Sequence, residues 1–228
     1  MTTPGLSKGT LHAAIVDLDG TMVDTSGDFV VALSAMLAEF GLPGVEREFV
    51  KLTVGKGSEH LVRSTLAHAG APADLYDTAM ARYQRHYEAV NGRCSTVYPG
   101  VVEGLDRLAA QGFKLACLTN KPTAFARALL QAKGLAGYFS QVFGGDAFER
   151  RKPDPLPIVM TCKALASEPA NTLMVGDSSN DAQAARAAGC PVVLVSYGFN
   201  HGHPVHAVDA DAVIDRLDQI AWPRSAGS

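Results

Sequence analysis

Long basic runs are the first thing missing from this chain. Lysine and arginine total 20 against 23 aspartates and glutamates, and no basic run is longer than 150-RRK-152. The electrostatic footprint of a nucleic-acid binder is therefore lacking, and a small-molecule partner is expected instead. Also missing is any apolar stretch close to the roughly 20 residues that cross a bilayer. The first ten residues, MTTPGLSKGT, hold no apolar signal core, so a cytoplasmic protein with no membrane partner is expected. Cysteine is sparse. Cys94, Cys117, Cys162 and Cys190 show no CxxC spacing, and Cys117 sits inside an apolar run. That argues against zinc and against a disulfide framework, and for buried free thiols in a reducing compartment. Repeats and low-complexity segments are absent too. What remains is ordinary for a globular chain of 228 residues: 47% hydrophobic, 19% charged, net charge −3. The small polar tail 222-WPRSAGS-228 is expected to fray.

Five short apolar runs recur: 13-AAIVDL-18, 113-FKLACLT-119, 141-QVFG-144, 172-TLMVG-176 and 192-VVLVS-196. Their length and their bounding turn residues predict strands buried on both faces, as a parallel sheet requires. Helical composition marks 100–112, 122–134 and 179–189, each closing on a glycine that can cap a helix C-terminus. Alternating β and α segments predict an α/β fold with a doubly wound, Rossmann-like parallel sheet. Between Thr25 and Tyr98 the rhythm stops. Val30, Leu33, Leu37 and Phe40 recur at helical spacing, as do Tyr76, Met80, Tyr83 and Tyr87, and the second stripe is expected to be helix packing. This interval predicts an inserted α-helical cap domain over residues 25–96, with 1–24 and 97–228 forming the core.

Polar residues follow the apolar runs as a set. Asp17 and Asp19 follow the first, Thr119 and Asn120 the second, and Asp177 and Asp181 the fourth, while Lys152 follows 141-QVFGGD-146. In open α/β sheets ligands bind outside the carboxyl ends of the strands, which is where these residues fall. An aspartate after a strand often does no more than cap the next helix. Four such strand ends together point to a site. Two carboxylates 4 Å apart repel by about 4 kcal/mol at an effective dielectric of 20. One lysine cannot neutralise four of them, whereas a hard dication with oxygen ligands such as Mg²⁺ can. Such a site suits phosphoryl transfer, with Asp17 as nucleophile and Asp19 handling protons. Residues flanking a single position can face opposite ways in an extended chain, which separates the two tasks. Gly20 permits a tight turn and Thr21 can brace the loop by hydrogen bonding; both are also placed with the substrate-binding residues.

The motifs 17-DLDGT-21, 119-TN-120, Lys152 in 152-KPDP-155 and 176-GDSSND-181 resemble, in order, those of the haloacid dehalogenase superfamily of Mg²⁺ phosphatases. The resemblance implies Asp17 as nucleophile and Asp19 as acid and base. It implies Mg²⁺ held by Asp17, Asp177 and the backbone carbonyl of Asp19, with Asp181 and Ser178 around the metal's own ligands. Thr119 and Asn120 would contact the phosphoryl group, Lys152 would link nucleophile and phosphate, and the helical insertion would be a mobile cap. Within the superfamily, 98–130, 144–155 and 54-VGKGSEHLVRSTL-66 look like bacterial phosphoglycolate phosphatases. The implied partner is a small phosphorylated metabolite and the implied assembly a monomer or homodimer.

A substrate with a carboxylate beside its phosphate needs a cation in the cap. Lys56 is the first candidate and Arg63 the second. The histidines of 201-HGHPVH-206 lack a carboxylate or cysteine partner nearby and are expected in an exposed turn. The stretch 55-GKGSEH-60 lacks the third glycine and the βαβ setting of a dinucleotide site. Two rival functions stand beside the phosphatase: a phosphatase or phosphomutase for a sugar phosphate, and a receiver-like Mg²⁺ and phosphate-binding module. The receiver needs neither Asp19 nor a cap of about 70 residues, and insertions of that length are usually functional.

Overall fold

The computed structural model describes residues 11–220; the first ten residues and 221–228, with the tail expected to fray, lie outside it. In chain order the elements are β1 (Ala13–Val16), β2 (Val23–Asp24), α1 (Ser26–Ala38), α2 (Arg47–Thr53), α3 (Ser58–His68), α4 (Tyr76–Val90), β3 (Thr96–Val97), α5 (Val101–Ala110), β4 (Lys114–Leu118), α6 (Thr123–Ala132), β5 (Gln141–Phe143), α7 (Leu156–Ala164), β6 (Thr172–Gly176), α8 (Ser179–Ala188), β7 (Val192–Val195) and β8 (Ala212–Ile214).

Six strands form one parallel sheet in the order β5-β4-β1-β6-β7-β8. The five apolar runs supply five of them. The sixth, β8, was not among the expected strands. Side chains alternate along each strand, so both faces need cover. On one face Ala14, Val16, Cys117 and Val175 pack with Leu105 of α5 and Leu129 of α6. On the other, Ala13, Ile15, Leu118 and Met174 pack with Ile158 of α7 and Ala185 of α8. Small residues on α8 let it lie close to the sheet. Helices α5, α6 and α8 are followed by glycines at φ +81°, +70° and +83°, as the sequence reading expected.

Helices α1 to α4 share a third core built on Phe29, Leu33, Met36, Leu37, Val50, Leu61, Val62, Tyr83 and Tyr87. The chain enters and leaves them through a two-stranded antiparallel ribbon that pairs Val23 with Val97 and Asp24 with Thr96. Buried Asp28 ties the two ends together, accepting hydrogen bonds from the backbone N–H groups of Gly92 (2.8 Å) and Cys94 (2.6 Å). All four cysteines are free, and three are buried as expected. Cys94 is exposed, because it sits in the loop leaving α4 rather than in a strand. No helix among the described residues is long and apolar enough to cross a membrane.

Candidate active site

The strand order reverses at β1, with later strands added first on its β4 side and then on its β6 side. A crevice opens beyond the carboxyl ends of strands at such a point. The residues that follow β1, β4 and β6 line it: Asp17, Asp19, Thr119, Asn120, Lys121, Asp177, Ser178 and Asp181, joined by Lys152. Helices α1, α3 and α4 roof the crevice with Phe29, Leu61, Tyr83 and Tyr87. The α4 stripe packs in the helical core as expected, and Tyr83 and Tyr87 in addition line the crevice.

Asp17, Asp177 and Asp181 are buried, and each offers a carboxylate oxygen within 4.8 Å of the others. It is the one such acidic, thiol or imidazole cluster found among the described residues. Burial, more than any other cause, raises the Asp17 carboxyl to about 7, with Lys152 opposing and Asp181 and Asp19 adding to the rise. Asp177 is pushed well above the ordinary carboxylate range by burial and then by Asp181 and Asp17. Burial draws the Lys152 ammonium down, but Asp17 and Asp181 outweigh it and hold the lysine above its usual value. Lys152 Nζ donates to Asp17 Oδ1 (2.8 Å), Asp181 Oδ1 (2.6 Å) and the Leu118 carbonyl (2.9 Å), which uses all three of its hydrogens. One lysine among three buried carboxylates leaves an excess of negative charge. An all-oxygen cluster of that kind fits a hard metal ion.

Asp181 is held inside this cluster rather than free to swing. Its Oδ2 accepts from Ser178 N (3.1 Å), Ser178 Oγ (2.8 Å) and Asp177 N (3.3 Å), closing the capping box that begins α8. Asp177 is fixed by Thr21 Oγ1 donating to its Oδ1 (3.1 Å) and by the Phe199 N–H donating to its Oδ2. Thr21 is fully buried and does not line the crevice, so it braces Asp177 instead of meeting substrate. Gly20 likewise does not line the crevice. It has φ +86°, and a Cβ there would stand 2.3 Å from Asp177 Oδ2 and 2.9 Å from a Phe199 ring carbon. Its role is to let the β1 loop pass close to Asp177. Gly20→Ala is expected to cost about 2–3 kcal/mol and to lower Tm by about 4–12 °C in a calorimetric or circular-dichroism melt.

Asp19 is not a member of the acidic cluster. Lys121 Nζ donates to both its oxygens, at 2.8 and 3.1 Å. Thr119 is buried beside the cluster, and its Oγ1 accepts from the Lys121 N–H. Asn120 is differently committed from the expected phosphoryl contact. Its side-chain Nδ2 donates to the carbonyls of Gly55 (2.9 Å) and Lys152 (2.8 Å), and Asn180 Nδ2 also donates to Gly55 (3.3 Å). The loop between α2 and α3 is thereby latched to the sheet.

Lys56 and Arg63 are brought to the surface, not to the crevice. Lys56 is exposed. Arg63 is exposed as well, pairing with Glu59 (3.1 Å) and lying over the Tyr76 ring (3.7 Å). Arg63 is turned away from the buried stripe of α3, on which Leu61, Val62, Thr65 and Leu66 face inward, whereas Lys56 precedes that helix, in the loop joining it to α2. His201 departs from the exposed turn expected of 201–206: it is half-buried, with Asn180 Nδ2 3.4 Å from its Nε2. Lys121 was not singled out in the sequence reading. The signal available was its place next to Thr119 and Asn120, directly after β4.

Fold and site together define an α/β enzyme with carboxylates gathered at its strand ends. The sequence matches the haloacid dehalogenase-like hydrolase family over residues 14–195, and the chain belongs to that family. It is 42% identical over 214 residues to a phosphoglycolate phosphatase of Thiobacillus denitrificans, covering 92% of this chain and 94% of that one. A phosphoglycolate phosphatase of Nitrosospira multiformis is 44% identical over 210 residues, covering 91% and 92%. Among solved structures, a predicted phosphoglycolate phosphatase from Haemophilus somnus 129PT superposes with a TM-score of 0.89 at 31% identity, covering 94% of this chain and 98% of that one.

Proposed function

We propose that this hydrolase is a Mg²⁺-dependent phosphomonoesterase acting on 2-phosphoglycolate. The observation that carries the reading is the separation of the two aspartates of the β1 loop. Asp17 lies in the acidic cluster on Lys152, and Asp19, two residues on, is turned to another partner. The names of the relatives at 42% and 44% identity point to the same substrate.

In this reading Asp17, Asp177 and the backbone carbonyl of Asp19 would hold the ion, with Asp181 and Ser178 fixing the loop behind them. Bound there, Mg²⁺ would neutralise charge on the phosphoryl oxygens. Asp17 attacks phosphorus, the ester P–O bond breaks, and the leaving oxygen takes its proton from Asp19. Asp19 then takes a proton from water as that water attacks the aspartyl phosphate, which releases inorganic phosphate and restores Asp17. Thr119 orients the phosphoryl group, and Lys152 acts through Asp17, holding the nucleophile in place. Residues 25–96 act as the cap over the core formed by 1–24 and 97–228, and their aromatic roof keeps bulk water from the intermediate.

Initial rates over a panel of small phosphate monoesters test this. The highest kcat/KM is expected for 2-phosphoglycolate, and EDTA is expected to lower it at least about 100-fold, with recovery on adding Mg²⁺. Full turnover in EDTA would refute the metal-assisted route, and a clear preference for a sugar phosphate would refute the substrate.

A further inference from the structure

We infer that Lys121 is the residue that binds the carboxylate of the substrate, taking it in exchange for the carboxylate of Asp19. The inference rests on the phosphoglycolate reading and adds to it the group that distinguishes this ester from others.

Elimination among the cations comes first. Lys121 and Lys152 are the two that line the crevice. Lys152 has spent its hydrogens on Asp17, Asp181 and the Leu118 carbonyl. Lys56 and Arg63, which the sequence suggested for this task, do not line the crevice. Lys121 alone remains among the described residues. Its side chain is 2% exposed, and its Nζ lies 4.5 Å from the Phe29 ring centroid and 4.7 Å from that of Tyr87. The rings belong to α1 and α4, so the cap covers the ammonium directly.

The setting explains why a carboxylate would go there. An anion carried into a dry, aromatic-roofed crevice is costly unless a cation meets it. Lys121 already holds one carboxylate through both oxygens, and a substrate carboxylate can replace it with the same charge and the same geometry. The exchange also frees Asp19 to collect a proton from solvent and turn toward the leaving oxygen, to which it gives that proton. A neutral ester brings nothing to trade, so Asp19 stays on the lysine.

The test compares 2-phosphoglycolate with its isosteric amide, 2-phosphoglycolamide, in the Mg²⁺-loaded enzyme. Wild type is expected to prefer the acid by about 100-fold in kcat/KM, the scale of one desolvated charge pair. In Lys121→Met that ratio is expected to fall to within about fivefold, with KM for the acid rising. Lys121→Arg is expected to retain most of the preference. Circular-dichroism melts establish that each variant is folded, and Lys121→Gln replaces Lys121→Met if the latter is not. A wild type with no preference for the acid would overturn the substrate reading, and this assignment with it. A wild type that prefers the acid, with Lys121→Met or Lys121→Gln keeping that preference while both substrates slow equally, would overturn the assignment alone and leave Lys121 a structural role.

Discussion

Asp17→Asn is expected to lower kcat for phosphate monoesters by about 10⁴-fold or more while leaving the fold intact. An amide oxygen is a poor nucleophile toward phosphorus, and removing the attacking group of a covalent mechanism has consequences of this order. The side chain keeps its size, and Lys152 keeps Asp181 and the Leu118 carbonyl as partners, so the crevice has no reason to collapse. Steady-state assays paired with a thermal melt measure both halves of the claim. Monoester turnover at the parent's rate in a folded Asp17→Asn enzyme would show that phosphorus is attacked by something else. The pH limb bears on the same residue. Because the metal-free carboxyl of Asp17 is raised to about 7, a bound cation is expected to draw its ionisation to lower pH, so activity at pH 6 should depend more steeply on Mg²⁺ concentration than at pH 8.

Asp177→Asn is expected to move activity and stability in opposite directions. Hydrolysis should fall by about 10²- to 10³-fold, since the ligand proposed for the metal loses its charge. The metal-free protein should become more stable. Burial and the neighbouring carboxylates raise the Asp177 carboxyl in the folded state above its ordinary value of 3.8. A group raised in this way supports the fold fully below its unfolded pKa and loses that support as pH climbs through the folded one. Asp17 acts in the same direction between 3.8 and about 7. These two carboxyls therefore withdraw stability from the metal-free protein as pH rises above about 4. Asparagine removes the Asp177 share, and the local hydrogen bonds survive: its oxygen can accept from the Phe199 N–H while its NH₂ donates to a rotated Thr21 hydroxyl. Relaxation around the site trims the gain to about 1–2 kcal/mol, or about 2–8 °C in Tm at pH 8 in EDTA. A lower metal-free Tm than wild type would mean that the charge of Asp177 is already compensated.

The parts of the molecule legible in the sequence are those whose signal is local. β1, β4, β5, β6 and β7 each carry an uninterrupted apolar run, and α5, α6 and α8 each close before a glycine, so both kinds of element announce themselves within a dozen residues. β8 does not: Ala212–Ile214 is three residues long and stands among aspartates, and pairing with β7 defines it. The ribbon of β2 and β3 is shorter still and exists only because residues distant in the chain meet, Val23 with Val97 and Asp24 with Thr96. The acidic cluster could be read because all its members follow strands of one sheet. Lys121 could not, since its partner is 102 residues away and the rings over it come from α1 and α4. Lys56 and Arg63 looked suitable by charge and position, yet which way α3 turns Arg63 depends on where its apolar stripe packs, and the loop carrying Lys56 follows contacts distant in the chain, those of Gly55 with Asn120 and Asn180.

The ribbon also has a kinematic consequence. Both passages of the chain between the sheet and helices α1 to α4 run side by side through it, so the helices are tethered along a single line and the rest of their contact with the sheet is noncovalent. A body attached that way can swivel but cannot slide. On the far side, the Gly55 carbonyl is gripped by two asparagine amides that a swivel would release together. The same rotation would lift Phe29 and Tyr87 off Lys121, so the lysine would be wetted at the moment a new substrate could enter.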